Sequence, residues 1–176
     1  MIKTKKLVFL SLLVAQALVL YIVESMIPVP FITPGAKLGL ANIVTVVSLY
    51  SFGEKDTLLV IMVRLLLASM FGGSISSLLY SIAGALFSFI IMIVVKRVGK
   101  DNVSVIGVSA AGAVFHNIGQ ITIAALILQN INISLYLPVL TMSGIGTGIF
   151  VGLTSRYVLS HFNRIYATTK LFDYKG

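Results

Sequence analysis

Ile75–Val95 reads ISSLLYSIAGALFSFIIMIVV, and Lys96-Arg97 follows at once. The run carries no charge and is long enough for a helix to cross a hydrocarbon core, which takes about 20 residues. The two cations at its end mark the point where the chain returns to water. The rest of the sequence has the same character. Of 176 residues, 58% are hydrophobic and only 10% charged, and the mean hydropathy is +1.06. Soluble domains carry about 25% charged residues. So few polar groups cannot cover a soluble surface, and the composition predicts an all-α integral membrane protein forming a single transmembrane domain over 1–176.

Five further apolar runs accompany the first. The predicted helices are 7–25, 38–52, 57–71, 75–95, 103–128 and 136–159, six spans in all, of which the second and third are short or tilted. The start, KTKKLVFLSLLVAQA, has the basic head and apolar body of a signal peptide. Its apolar run continues through LVLYIV, which predicts a retained helix.

Charge placement sets the orientation. With both termini cytoplasmic, the inside segments hold Lys3, Lys5, Lys6, Lys55, Lys96, Arg97, Lys100, Arg164, Lys170 and Lys175, and Arg156 lies near the inner end of helix six. The outside loops hold Lys37 alone. That asymmetry is the positive-inside pattern of a multi-pass protein of the bacterial cytoplasmic membrane. The net charge of +8 is therefore an orientation signal, and no nucleic-acid partner is expected.

The outer segment 26–36 carries three prolines, Pro28, Pro30 and Pro34. Proline fixes φ and removes a donor, so this stretch is neither helix nor central strand. It reads as a simple connector or as a stiffened lid over a cavity. Small residues recur at four-residue spacing: Gly144, Gly148 and Gly152; Ser81 and Ala85, with Gly84 and Ser88; Ser11 and Ala15. Such faces let helices approach closely in lipid. For helices four and six the expected neighbour is within the chain. For helix one a partner protein is equally suited.

Polar residues at depth are the informative ones, because a charge near the membrane centre costs at least ~2.5–3.5 kcal/mol on insertion scales. Arg64 lies midway along helix three. Glu24 lies near the outer end of helix one, and Lys37 and Asn42 near the outer end of helix two. Tyr80 is in the outer half of helix four. His116, Asn117 and Gln120 lie in the middle and outer half of helix five, where Ser109, Gly112, Ala113, His116 and Gln120 form a small, polar stripe on an oily helix. Together these predict a pocket open to the outside with one carboxylate and two cations, suited to a small anionic ligand with an apolar body. Each residue also has a plainer reading: Arg64 paired with Glu24 or a carbonyl, His116 a neutral interior hydrogen-bonder, Lys37 an interfacial anchor.

Some functions are excluded. There is no cysteine, so no disulfide and no thiolate site. The five acidic residues form no aspartate cluster of the kind that holds magnesium in prenyl-diphosphate synthases, so no catalytic activity of that type is expected. There is no P-loop and no second ligand near His116 for a metal. No covalently bound cofactor is expected, and energy for uptake has to come from another protein.

Five blocks carry a resemblance: PGAKLGLANIVTV, RLLLASMFGG, LYSIAGALFS, GAVFHNIGQ and YLPVLTMSGIGTGIFVG, in this order from Pro34 to Gly152. They resemble the Gx transporter family, often labelled heptaprenyl diphosphate synthase component I and grouped with the substrate-binding S-components of energy-coupling factor (ECF) transporters. The resemblance implies a six-helix S-component-like bundle that binds one small molecule near its outer face. It also implies a transmembrane coupling subunit and two cytoplasmic ATPases, which alone use ATP. S-components carry an Ala-x3-Ala docking face on helix one. Ser11 and Ala15 match it, with serine as a departure. Two alternatives stand beside this reading: a non-catalytic membrane subunit assisting a polyprenyl diphosphate synthase, and a haem carrier using His116. A quinone or isoprenoid precursor and a vitamin-like compound all fit the expected pocket.

Overall fold

The structure, a computed structural model, describes residues 2–26, 39–70 and 75–169. Among these every regular element is helical, as the composition predicts: α1 (Ile2–Met26), α2 (Asn42–Ser51), α3 (Glu54–Met70), α4 (Ile75–Gly99), α5 (Val105–Ile127) and α6 (Leu137–Thr169), with 3-10 turns at Lys100–Asn102 and Ile131–Tyr136. The spans within α1, α4, α5 and α6 are long and apolar enough to cross a membrane. α2 has 10 residues and α3 has 17. At 1.5 Å per residue they reach about 15 Å and about 25 Å, short of a hydrocarbon core of about 30 Å.

α2 begins at Asn42, although the apolar run starts at Leu38. Gly39 explains the difference. It has φ of 84°, a left-handed conformation that a right-handed helix cannot continue and that glycine adopts without steric cost. The first turn then closes with Asn42 N–H donating to Gly39 O at 2.9 Å and Ile43 N–H to Leu40 O at 3.0 Å. At the other end, Phe52 N–H donates to Ser48 O at 2.8 Å and Gly53, with φ of 83°, turns the chain into α3.

The helices form two groups. α1 buries Leu10, Leu13, Val14 and Ala17, one stripe at helical spacing, against Val44 and Val47 of α2 and Val60 of α3. α4, α5 and α6 form a tight layer with α5 in the middle. A central core of Val46, Leu49, Ile61, Leu65, Phe89, Met92, Val108 and Val151 joins the groups. The glycine face of α6 is used inside the chain. A Cβ on Gly148 would stand 2.6 Å from Ala110 Cα, and one on Gly152 would stand 2.6 Å from Ile106 Cα. Backbone contact this close is how helices gain dispersion energy in lipid, where burial of apolar surface drives little.

One end of the bundle is ionic. Lys6 Nζ lies 2.8 Å from Asp56 Oδ2, tying α1 to α3. Arg97 grips Glu54 with both Nε and Nη2, tying α4 to the start of α3. Lys96 Nζ donates to Leu49 O at 2.9 Å and lies 4.4 Å from the centroid of the Tyr50 ring. A cation there satisfies a last-turn carbonyl of α2 and complements its dipole.

Candidate functional site

Arg64 is ten residues into α3 from the ionic end, about 15 Å along the axis. At this level the sequence has placed a guanidinium almost wholly out of contact with bulk water: Arg64 is 6% exposed and Glu24 4%. Both line one cavity of about 20 Å³, together with Tyr21, Gly39, Ala41, Asn42, Leu65, Ala68, Ser81 and His116. Five helices and the turn before α2 contribute to it. A second, smaller cavity of about 10 Å³ shares Tyr21, Leu65, Ala68 and Ser81 and adds Ser69 and Leu78. A polar chamber thus adjoins a mainly apolar one.

The carboxylate is held from the far side. Glu24 sits in the last turn of α1, and the Gly39 N–H donates to its Oε1. The end of α1 is the wrong pole of the helix dipole for a carboxylate. Opposite charge across the cavity and a backbone donor compensate. Breaking such a buried arrangement by removing one partner typically costs about 3–5 kcal/mol, because the other charge is left uncompensated.

Of the residues singled out from sequence, Glu24, Asn42, Arg64 and His116 meet at this cavity. Gln120 supports it from behind, its Nε2 lying 3.1 Å from His116 Nε2. Gly84 of α4 gives this pair its room: a Cβ there would stand 2.9 Å from His116 Cε1. Two residues go elsewhere. Tyr80 packs with Ile121, Ala124, Ile133 and Leu140. Asn117 Nδ2 donates to Leu140 O at 2.6 Å, which ties α5 to α6. The packing of α4, α5 and α6 against one another, invisible in the periodicity of any one helix, turns Tyr80 on α4 and Asn117 on α5 to these contacts. Lys37 and the segment 27–36 lie outside the described residues. Among the described residues no group of three metal-ligating side chains occurs.

Ser11 and Ala15 are exposed along α1, with the Ser11 hydroxyl donating to Leu7 O at 2.9 Å. Gln16 beside them is exposed too, an amide in the middle of an apolar span. Polar side chains at such depth usually find a partner on another helix.

Comparison with protein families matches residues 13–158 to the family described as heptaprenyl diphosphate synthase component I. The chain belongs to that family. Every residue lining the two cavities falls within the heptaprenyl diphosphate synthase component I match, while Ser11 falls before it. Comparisons with curated proteins and with solved structures gave no match.

Tyr21 and Ser81 are not assigned to the site from sequence. Tyr21 carries a usable signal, since it lies three residues before Glu24 and so shares its face of α1. The role of Gly39 depends on its backbone conformation, for which the sequence offers only the residue type.

Proposed function

We propose that this protein is the substrate-binding membrane subunit of an ECF-type importer, taking a small anionic, partly hydrophobic molecule from outside the cell. The observation that carries the reading is the buried Arg64 guanidinium at a cavity away from the ionic end. A guanidinium there offers a fork of donors matched to carboxylate or phosphate. The adjoining apolar chamber suits the body of a quinone or isoprenoid precursor or a vitamin-like compound. The cavity is one water in size, so capture requires the helices around Arg64 to part. Ligand pockets usually run to about 300–1,000 Å³. The protein itself performs no catalysis in this scheme. Its partners are a coupling subunit, docked along Ser11, Ala15 and Gln16 of α1, and two cytoplasmic ATPases that spend the ATP. The steep lysine and arginine asymmetry supports a bacterial cell membrane location with both termini inside.

The family description favours a second reading, a non-catalytic membrane component that works with a polyprenyl diphosphate synthase. Purification in gentle detergent separates the two. Co-purifying ATPases support the importer, and a co-purifying prenyl synthase overturns it. Native mass spectrometry of the same sample identifies any retained small molecule.

A further inference from the structure

We propose that Glu24 is a tethered stand-in for the ligand's anionic group, and that binding displaces it. The inference rests on the anion-site reading of Arg64 given above. A carboxylate is the chemical group that an anion site selects, and here the chain supplies its own. Glu24 is buried, shares the Arg64 cavity and takes the Gly39 N–H. An oxyanion entering from outside would seek the Arg64 guanidinium that lines this cavity and the same Gly39 N–H. A cavity this small cannot hold both anions, and two negative charges side by side at low dielectric repel strongly.

The geometry also allows the exchange. Glu24 lies two residues from the last residue of α1 and its neighbour Ser25 is exposed, so the last turn can carry the side chain outward without moving the buried stripe Leu10–Ala17. Gly39 is not inside a helix, and its N–H is free to pass from one acceptor to another. Displacement would make room beside the Tyr21–Leu65–Ala68–Ser81 wall shared by the two chambers, where the apolar body would lie. Ligand binding is thereby linked to release of the outer end of α1, the same helix whose middle carries Ser11, Ala15 and Gln16. The ligand class is an oxyanion, carboxylate or phosphate, and a cation would gain nothing from this exchange.

The test compares Glu24→Gln with the unmodified protein in detergent at constant ionic strength, with inorganic phosphate and acetate as probes. Glu24→Gln is expected to unfold at lower temperature and to regain more of its midpoint on adding either probe. Its apparent affinity should rise on the order of tenfold, within the roughly 5–150-fold range usual for coupled events. A larger gain with phosphate assigns a phosphate head, and a larger gain with acetate a carboxylate. Should Glu24→Gln fail to fold, Ser25→Cys in the otherwise unmodified chain supplies the second measurement, since the protein has no other cysteine. Its maleimide labelling rate should change when the probe is added, because the turn that carries it moves. Unchanged labelling, or equal or weaker probe binding by Glu24→Gln, overturns the proposal. The two failures separate cleanly. Probe binding that depends on Arg64 but is not improved in Glu24→Gln removes only the stand-in. No binding by either protein removes the anion site as well.

Discussion

The two ends of the bundle both hold opposite charges and use them differently, as pairs in direct contact at one end and as a buried guanidinium and carboxylate sharing a cavity at the other. At the ionic end Lys6, Asp56, Arg97 and Glu54 pair across helices at the surface, with side-chain exposures of 42% and 20% for the first pair and 68% and 37% for the second. Water and salt can replace any of these partners. At the cavity Arg64 and Glu24 are 6% and 4% exposed, and bulk water does not readily replace either. The surface pairs follow from where helices end. A buried pair in an apolar bundle has no such cause, because hydrophobic side chains of similar volume often stabilise as well or better. A costly arrangement with no structural necessity is where function is sought first.

Arg64 should break the comparison hardest. Arg64→Ala removes the buried guanidinium that shares the cavity with Glu24, and a loss of about 3–5 kcal/mol is expected. Thermal or denaturant unfolding in detergent measures it, and anion binding should vanish with it. Arg64→Lys should retain more stability than binding, because an ammonium keeps charge and loses the planar fork. Joining Arg64→Gln to Glu24→Gln should recover part of the stability. Normal anion binding by Arg64→Ala would remove Arg64 from the site.

Packing gives the next largest effect and a control on the first. Gly148→Leu drives a side chain into the Ala110 backbone, 2.6 Å away at the Cβ, and should cost about 1–3 kcal/mol by overpacking. Gly146 has nothing within 4 Å of its would-be Cβ, so Gly146→Leu should leave the unfolding midpoint unchanged. Equal effects at both positions would mean that α6 does not meet α5 through this face.

These cases also show what the sequence reveals. The all-α membrane character is legible because 58% apolar residues leave no soluble alternative. That Glu24, Asn42, Arg64 and His116 belong to one polar pocket is legible because each is a costly polar residue in an apolar helix, although depth counted along the helices sets Arg64 midway and Glu24 near an end. The rotation of one helix against another cannot be counted. Tyr80 and Asn117 have the right depth but sit on flanks committed to other contacts. Gly39 marks the same limit, since its positive φ moves the start of α2 to Asn42 and turns an apparent helix residue into the donor for Glu24.

Docking should respond without any change in stability. Ala15 and Gln16 are exposed, and exposed substitutions usually stay within about ±0.5 kcal/mol. Ala15→Leu or Gln16→Leu should therefore keep the unfolding midpoint and the anion affinity, yet lose the coupling subunit in co-purification. Bulk at Ala15 prevents close approach, and Leu at 16 removes a hydrogen-bonding amide. Retained assembly in both variants would move the docking face elsewhere.

The smallest effect sharpens the comparison from its other side. Lys6 and Asp56 meet at 2.8 Å, full hydrogen-bonding contact, so distance alone would rank this contact highly. Exposure reverses the ranking. In water the attraction is weak, two side chains lose freedom to hold one geometry, and salt screens what remains. Lys6→Ala should cost only roughly 0.2–1 kcal/mol, and the loss should fade as salt rises toward 1 M, where the screening length is about 3 Å. The loss from Arg64→Ala should persist in a non-binding salt such as sodium chloride, because a buried charge is screened far less than an exposed one. Unfolding midpoints of both variants across a salt series make the measurement. If the Lys6→Ala loss holds undiminished at high salt, the ionic end is no solvated surface and the contrast between the two ends fails. If the Arg64→Ala loss fades alongside it, the cavity is open to bulk ions and Glu24 does not seal it.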